Sequence, residues 1–156
     1  MNNSARNILI VDDNVALRKP LVAIIQAEGY RTCEASEGAE ALELLEEEKV
    51  DAIISDILMP GMDGYRLCYE VRRSRKHSAL PFIFLTGVYT SAEDEQHALD
   101  IGADGIIRKP ISAKEVLKVL REMFSDPDYR KPRKTKPIGE VEVIKEYSDS
   151  LVTKLE

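Results

Sequence analysis

Five short apolar runs punctuate the chain, and a stretch of helical periodicity follows each one. The runs are NILIV (7–11), RTCEA (31–35), DAIIS (51–55), FIFL (82–85) and GIIR (105–108). The first, third and fourth are almost continuously apolar, as parallel strands covered on both faces must be. In NVALRKPLVAIIQAEG (14–29), Val15, Leu17, Leu21, Ile24 and Ile25 form one stripe, and Gly29 stands where a helix C-cap belongs. EGAEALELLEEE (37–48) turns Ala41, Leu42, Leu44 and Leu45 inward and its glutamates outward. GYRLCYEVRRSR (64–75), SAEDEQHALDIG (91–102) and SAKEVLKVLREMF (112–124) follow, the last opening on Ser112 and Glu115 at capping-box spacing. Pro20 is expected to kink or locally break the first helix. Strictly alternating β and α elements call for an α/β fold, a parallel sheet with helices on both faces. Periodicity leaves the strand order open.

The length, 156 residues, suffices for one ordinary domain with a real core. A net charge of −6 argues against general attraction to nucleic acid. Cys33 and Cys68 sit in apolar surroundings without C-x-x-C spacing, which reads as a reduced, cytosolic pair of thiols. No apolar run approaches the roughly 18 residues of a membrane span, and MNNSARN lacks a signal-peptide core, so the expected location is the cytoplasm with no membrane partner. The character changes after residue 124. Residues 125–137, SDPDYRKPRKTKP, read as a proline-rich basic linker. Residues 138–156 read as an amphipathic helix carrying Val141, Ile144, Leu151 and Leu155, expected as the start of a coiled-coil connector to a further output domain.

In a parallel α/β sheet all strand carboxyl ends lie on one edge, and ligands bind there. Asp12 and Asp13 follow the first strand, Asp56 the third, Thr86 the fourth, and Lys109-Pro110 the fifth. Each has a bland reading alone: Asp13 or Asn14 as a helix cap, Thr86 as a β-former, Lys109 as a solvated base. Together they gather three carboxylates, a hydroxyl and an ammonium at one edge. Three clustered carboxylates repel, so either one takes a proton or a cation binds, and a hard divalent ion such as Mg²⁺ suits oxygen ligands best. With two acids on the metal, Asp56 is available as an oxygen nucleophile. Phosphoryl transfer needs positioned charge around the moving group more than bond chemistry from the protein. Lys109, Thr86 and Mg²⁺ can each take one phosphoryl oxygen, which makes Asp56 the expected phosphoacceptor.

ILIVDD, IISDILMPGMDG, FIFLTG and GADGIIRKP resemble the signatures of a bacterial receiver domain, the response-regulator module of two-component phosphorelays. The resemblance covers roughly residues 7 to 124 and is chemotaxis-regulator-like. It implies the flavodoxin-like three-layer (βα)5 sandwich with sheet order 2-1-3-4-5. It further implies that Asp12, Asp13, Asp56 and the Leu58 backbone carbonyl hold the metal. Asp56 then accepts phosphate from a sensor histidine kinase or a histidine phosphotransfer protein, Thr86 and Lys109 sense it, and Lys109-Pro110 is a cis peptide bond. Such a chain is a phosphoacceptor regulator and not an enzyme beyond assisting its own phosphorylation and dephosphorylation. The family usually places Tyr or Phe three residues before its lysine, and this chain has Ile106 there. Tyr89, in the loop after Thr86, reads either as an exposed loop residue, the blander and preferred reading, or as a substitute for that aromatic. Apolar Leu58 and Val88 are expected to crowd out the water that hydrolyses the phosphoryl-aspartate. Homodimerisation is expected through the face of the fourth helix, fifth strand and fifth helix, or through the C-terminal helix.

Two other readings compete. The chain could be the receiver portion of a hybrid sensor histidine kinase. A haloacid-dehalogenase-type phosphatase also uses an Asp nucleophile, a Thr and a Lys, but it needs a second Asp two residues after the nucleophile as general acid. Position 58 is Leu.

Overall fold

Alternation along each strand decides the layers. Leu9, Val11, Ile53, Phe82 and Phe84 fall on one face of the sheet, while Ile8, Ile10, Ala52, Ile54, Ile83, Leu85 and Ile107 fall on the other. Both faces are apolar, so each needs a cover of helices. In the computed structural model, residues 5–87 and 92–125 are described, without the side chains of 92–95. They alternate as β1 (Asn7–Val11), α1 (Val15–Ala27), β2 (Arg31–Ala35), α2 (Gly38–Glu47), β3 (Ala52–Asp56), α3 (Gly64–Arg73), β4 (Phe82–Thr86), α4 (Ala92–Ile101), β5 (Gly105–Arg108) and α5 (Ala113–Ser125). The strands pair in parallel in the order β2-β1-β3-β4-β5, the flavodoxin-like arrangement. Helices α2, α3 and α4 cover the first face and α1 and α5 the second. On the first face Tyr65 meets Phe84 edge-on at 5.5 Å between ring centroids.

Local signals hold in detail. Gly29 has φ +100° and its N–H donates to Gln26 O, ending α1 as its left-handed cap. Ser112 Oγ accepts from the Glu115 N–H at 3.3 Å, the first half of the capping box. Cys68 is fully buried among the α2–α3–α4 core, and that burial pushes its thiol up to about 12.

The structure decides two expectations about α1. Of the kink or local break expected at Pro20, the break does not occur, and the helix runs continuously from Val15 to Ala27. Pro20 is exposed, so the carbonyl deprived of its helical N–H lies on the solvent side and can bond to water. Nor do Val15 and Leu17 join the buried stripe: they are 54% and 44% exposed, and the buried residues are Leu21, Val22 and Ile25. The helix begins only four residues past the end of β1, so its first turn overhangs the sheet edge instead of lying on it.

At the opposite edge an ion pair locks the loops. Arg72 and Asp104, with side chains 4% and 1% exposed, meet at 2.9 Å. Arg72 Nε also donates to Gly102 O at 2.8 Å and Nη1 to Leu80 O at 2.6 Å. Asp104 Oδ2 accepts from the Phe82 N–H at 2.8 Å, joining the entry of β4 to that of β5. Charges this deep are tolerated only when paired and hydrogen-bonded on every side.

Helix α5 ends at Ser125, one residue into the expected linker. The remainder of that linker, the expected helix 138–156, Val88 and Tyr89 lie outside the described residues.

Candidate functional site

The carboxyl edge of the sheet is built by strands that end in polar residues. Strands β3 and β4 each run one residue beyond the apolar runs, so Asp56 and Thr86 are their last residues, adjacent to the turn but held by strand pairing. Asp56 pairs with Leu85, which sets Thr86 one step farther along the neighbouring strand. The β1–β2 pairing continues past β1 through the Asp12 N–H, which donates to Ala35 O at 3.1 Å. Behind Asp56, Gly64 opens α3 with its N–H on Ile57 O at 2.7 Å. A Cβ at Gly64 would collide with Asp56 O and lie 2.8 Å from Ile57 Cα, so only glycine allows α3 to start this close to the strand end.

The capping alternative for the aspartates resolves in favour of Asn14. Asn14 Oδ1 accepts from the Leu17 N–H at 3.3 Å as the N-cap of α1, and Asp12 Oδ1 accepts from the Asn14 N–H at 3.0 Å. Neither aspartate caps the helix, and both carboxylates face the edge. Asp12, Asp13 and Asp56 each bring an oxygen within 4.8 Å of the others. Lys109 Nζ lies 3.2 Å from Asp56 Oδ1 and 3.7 Å from Asp12 Oδ2. Its backbone is fixed by an N–H bond to Thr86 O at 2.7 Å, and the Lys109-Pro110 bond is cis, as the family resemblance implied.

Burial sets the electrostatics. Asp12 is 1% exposed and Asp56 9%, while Asp13 is exposed. Burial raises the Asp56 carboxyl to about 6, with Lys109 pulling it down and Asp12 pushing it up. A partly desolvated acid beside two others is short of positive charge, and the three hard oxygen donors suit Mg²⁺.

The structure thus gathers Asp12, Asp13, Asp56 and Lys109 directly. Thr86 is 2% exposed, its Oγ1 3.4 Å from Gly87 O, and it joins the group through the Lys109 backbone. Leu58 lies two residues past Asp56, half-buried against the α2–α3–α4 core. Ile106 pairs with Phe84 and packs half-buried on the same core. Sequence reading missed Arg18 and Glu34, which brace Asp12 from behind: Arg18 Nη1 donates to Asp12 O at 2.6 Å and its Nε to Glu34 Oε1 at 2.8 Å. The available signal was spacing, because Arg18 stands four residues before buried Val22 on the α1 stripe.

Comparison with known proteins agrees with this geometry. The family model for the response regulator receiver domain matches residues 8–121. A probable transcriptional regulator, ycf27, of Guillardia theta is 43% identical over 117 residues, 75% of this chain and 44% of that protein. The chain spans about half the length of the curated relatives it matches in this way. The signal receiver domain of a signal transduction histidine kinase from Syntrophus aciditrophicus superposes with a TM-score of 0.73 at 32% identity, over 85% of this chain and 99% of that one. The receiver domain of the sensor histidine kinase PA1611 from Pseudomonas aeruginosa, which holds a magnesium ion in its active-site cleft, gives 0.72 at 27% identity over 79% of this chain and 100% of that one. A family match across most of the chain, on the expected strand order and with the acidic cluster at the expected edge, leads to one conclusion: this chain belongs to the response regulator receiver domain family.

Proposed function

We propose that the chain is a phosphorylation-controlled switch whose phosphoacceptor is Asp56. The observation that carries the reading is the convergence of Asp12, Asp13 and Asp56 within 4.8 Å, with Lys109 3.2 Å from Asp56. A carboxyl near 6 is mostly ionised at neutral pH and more basic than an ordinary aspartate, so it is a competent oxygen nucleophile. The phosphoryl donor is a phosphohistidine of a sensor histidine kinase or a histidine phosphotransfer protein. The Asp56 oxygen bonds to phosphorus as the nitrogen–phosphorus bond breaks, and the imidazole leaves with the electron pair. Asp12, Asp13, Asp56 and the Leu58 carbonyl would hold Mg²⁺, which supplies positive charge against the phosphoryl oxygens. Lys109 turns from the carboxylate to one phosphoryl oxygen and Thr86 donates its hydroxyl to another. The Thr86 movement is then the output of the site, a small local change that repacks β4 and β5. Ile106 cannot make the aromatic swing usual in the family, so the relay in this chain runs through aliphatic packing on Phe84.

Two-component signalling in the cytoplasm is the setting, with homodimerisation through α4, β5 and α5 or through the C-terminal segment as a route to output. A second reading, the receiver portion of a hybrid sensor kinase, draws support from the similarity to the Syntrophus kinase receiver. The test is incubation with acetyl phosphate and intact-mass measurement. The wild-type chain is expected to gain one phosphoryl group with Mg²⁺ and none in EDTA, and Asp56→Asn is expected to gain none. Undiminished labelling of Asp56→Asn refutes the assignment.

A further inference from the structure

Arg18 sits in the second quarter of α1 with its side chain only 11% exposed, and its guanidinium spans two separate elements. Nη1 donates to the main-chain oxygen of Asp12 at 2.6 Å, and Nε to Glu34 Oε1 on β2 at 2.8 Å. Glu34 is held in turn by Lys19, whose Nζ lies 3.0 Å from each carboxylate oxygen. The Arg18 hydrogen bond, with help from Lys19, keeps the Glu34 carboxyl below the usual range, so it is a charged anchor at neutral pH. The Asp12 main chain is therefore gripped at both ends, its N–H by Ala35 O and its carbonyl by Arg18. The carbonyl belongs to the peptide that leads into Asp13. Asp13 is exposed, and among the described residues no hydrogen bond reaches its carboxylate. Its aim toward Asp12 and Asp56 comes from the backbone alone.

We infer that Arg18, anchored by Glu34, is a positioning residue that orients the Asp12–Asp13 peptide so that both carboxylates converge for the cation. This inference rests on the reading that the cluster takes Mg²⁺. Simple electrostatics makes the opposite forecast, which is what makes the idea testable. A guanidinium behind three carboxylates repels an incoming cation, so deleting it would tighten Mg²⁺ binding if charge were its whole effect. A positioning role means that deleting it loosens binding, by about tenfold on the scale of groups that orient metal ligands.

The experiment is a calorimetric Mg²⁺ titration of the full chain, with amide exchange of the metal-free protein alongside. Arg18→Ala is expected to raise the Mg²⁺ dissociation constant about tenfold and to speed exchange at the Asp13 and Asn14 amides before any metal is added. Arg18→Lys is expected to recover part of the affinity, because one ammonium can reach Asp12 O or Glu34 but not grip both. Glu34→Ala weakens Mg²⁺ on either account because it removes a negative charge, so its deciding readout is exchange at the Asp13 and Asn14 amides of the metal-free protein. That exchange is expected to quicken, and it serves should Arg18→Ala fail to fold. Mg²⁺ binding as tight as wild type, or tighter, in the Arg18 variants, or unchanged exchange at Asp13 and Asn14 in Glu34→Ala, overturns the inference and leaves the receiver site standing. A wild-type chain that takes up no Mg²⁺ overturns the metal reading and this inference with it.

Discussion

Asp56→Asn should make the metal-free chain more stable, by an amount that depends on pH. The native Asp56 carboxyl lies near 6 because burial penalises its charge more than Lys109 compensates it. Its side chain is 13% exposed, so solvent screens the penalty little. In the unfolded chain the same group titrates near the ordinary value of about 3.9. Between those values the native chain keeps a proton that the unfolded chain has lost. Stability attributable to Asp56 is therefore complete below about pH 4, falls as pH rises, and is lost once pH passes about 6. The full gap is worth about 3 kcal/mol, from 1.36 kcal/mol per tenfold change in proton affinity. Asparagine has no charge to bury, and Lys109 still has Asp12 beside it at 3.7 Å. Urea unfolding in EDTA, followed by circular dichroism from pH 4.5 to 8, reads the difference. The variant should exceed wild type by about 3 kcal/mol at pH 8, and the advantage should shrink steadily toward pH 4. Added Mg²⁺ should narrow it at pH 8 by stabilising the ionised wild type. An advantage independent of pH, or a variant less stable at pH 8, refutes the electrostatic account of the site.

Arg72→Ala removes the guanidinium that holds buried Asp104, and should cost about 3–5 kcal/mol in urea unfolding; a loss under about 1 kcal/mol contradicts the clasp. Gly64→Ala forces a Cβ against the Asp56 carbonyl and the Ile57 backbone, neither of which can yield cheaply, and should cost about 2 kcal/mol in the same assay while slowing phosphoryl uptake. Leu58→Asn replaces an apolar side chain two residues past Asp56 with one that can orient water, and should shorten the phosphoryl-aspartate lifetime severalfold when decay is followed by intact mass. An unchanged lifetime removes Leu58 from control of hydrolysis.

The elements were legible because period is a local property. Strands β1, β2 and β5 fall on their apolar runs, and β3 and β4 extend one residue into Asp56 and Thr86, where pairing with neighbours overrides polarity. The site was legible because an α/β sheet sends every strand end to one edge, so Asp12, Asp13, Asp56 and Lys109 could be listed before their distances were known. What spacing could not supply was the far partner of a charge. The sequence reading passed over Arg18 and Arg72, yet each stands on a buried stripe, four residues before Val22 and four after Cys68. A base at such a position must find acceptors, and they come from β2 and from the α4–β5 loop, distant in sequence. The burial of Val15 and Leu17 was misjudged for a related reason. A helical stripe shows which face is apolar but not where the sheet beneath it stops.

The central claim, that this edge exists to carry a phosphoryl group on one particular carboxylate, is tested most directly by locating the acyl phosphate. Brief reaction with acetyl phosphate and Mg²⁺, reduction with borohydride and peptide mass analysis convert the phosphorylated aspartate into homoserine at its own position. The expected result is homoserine at position 56 alone. Homoserine at position 12 or 13 instead, or none after full reaction, contradicts the account.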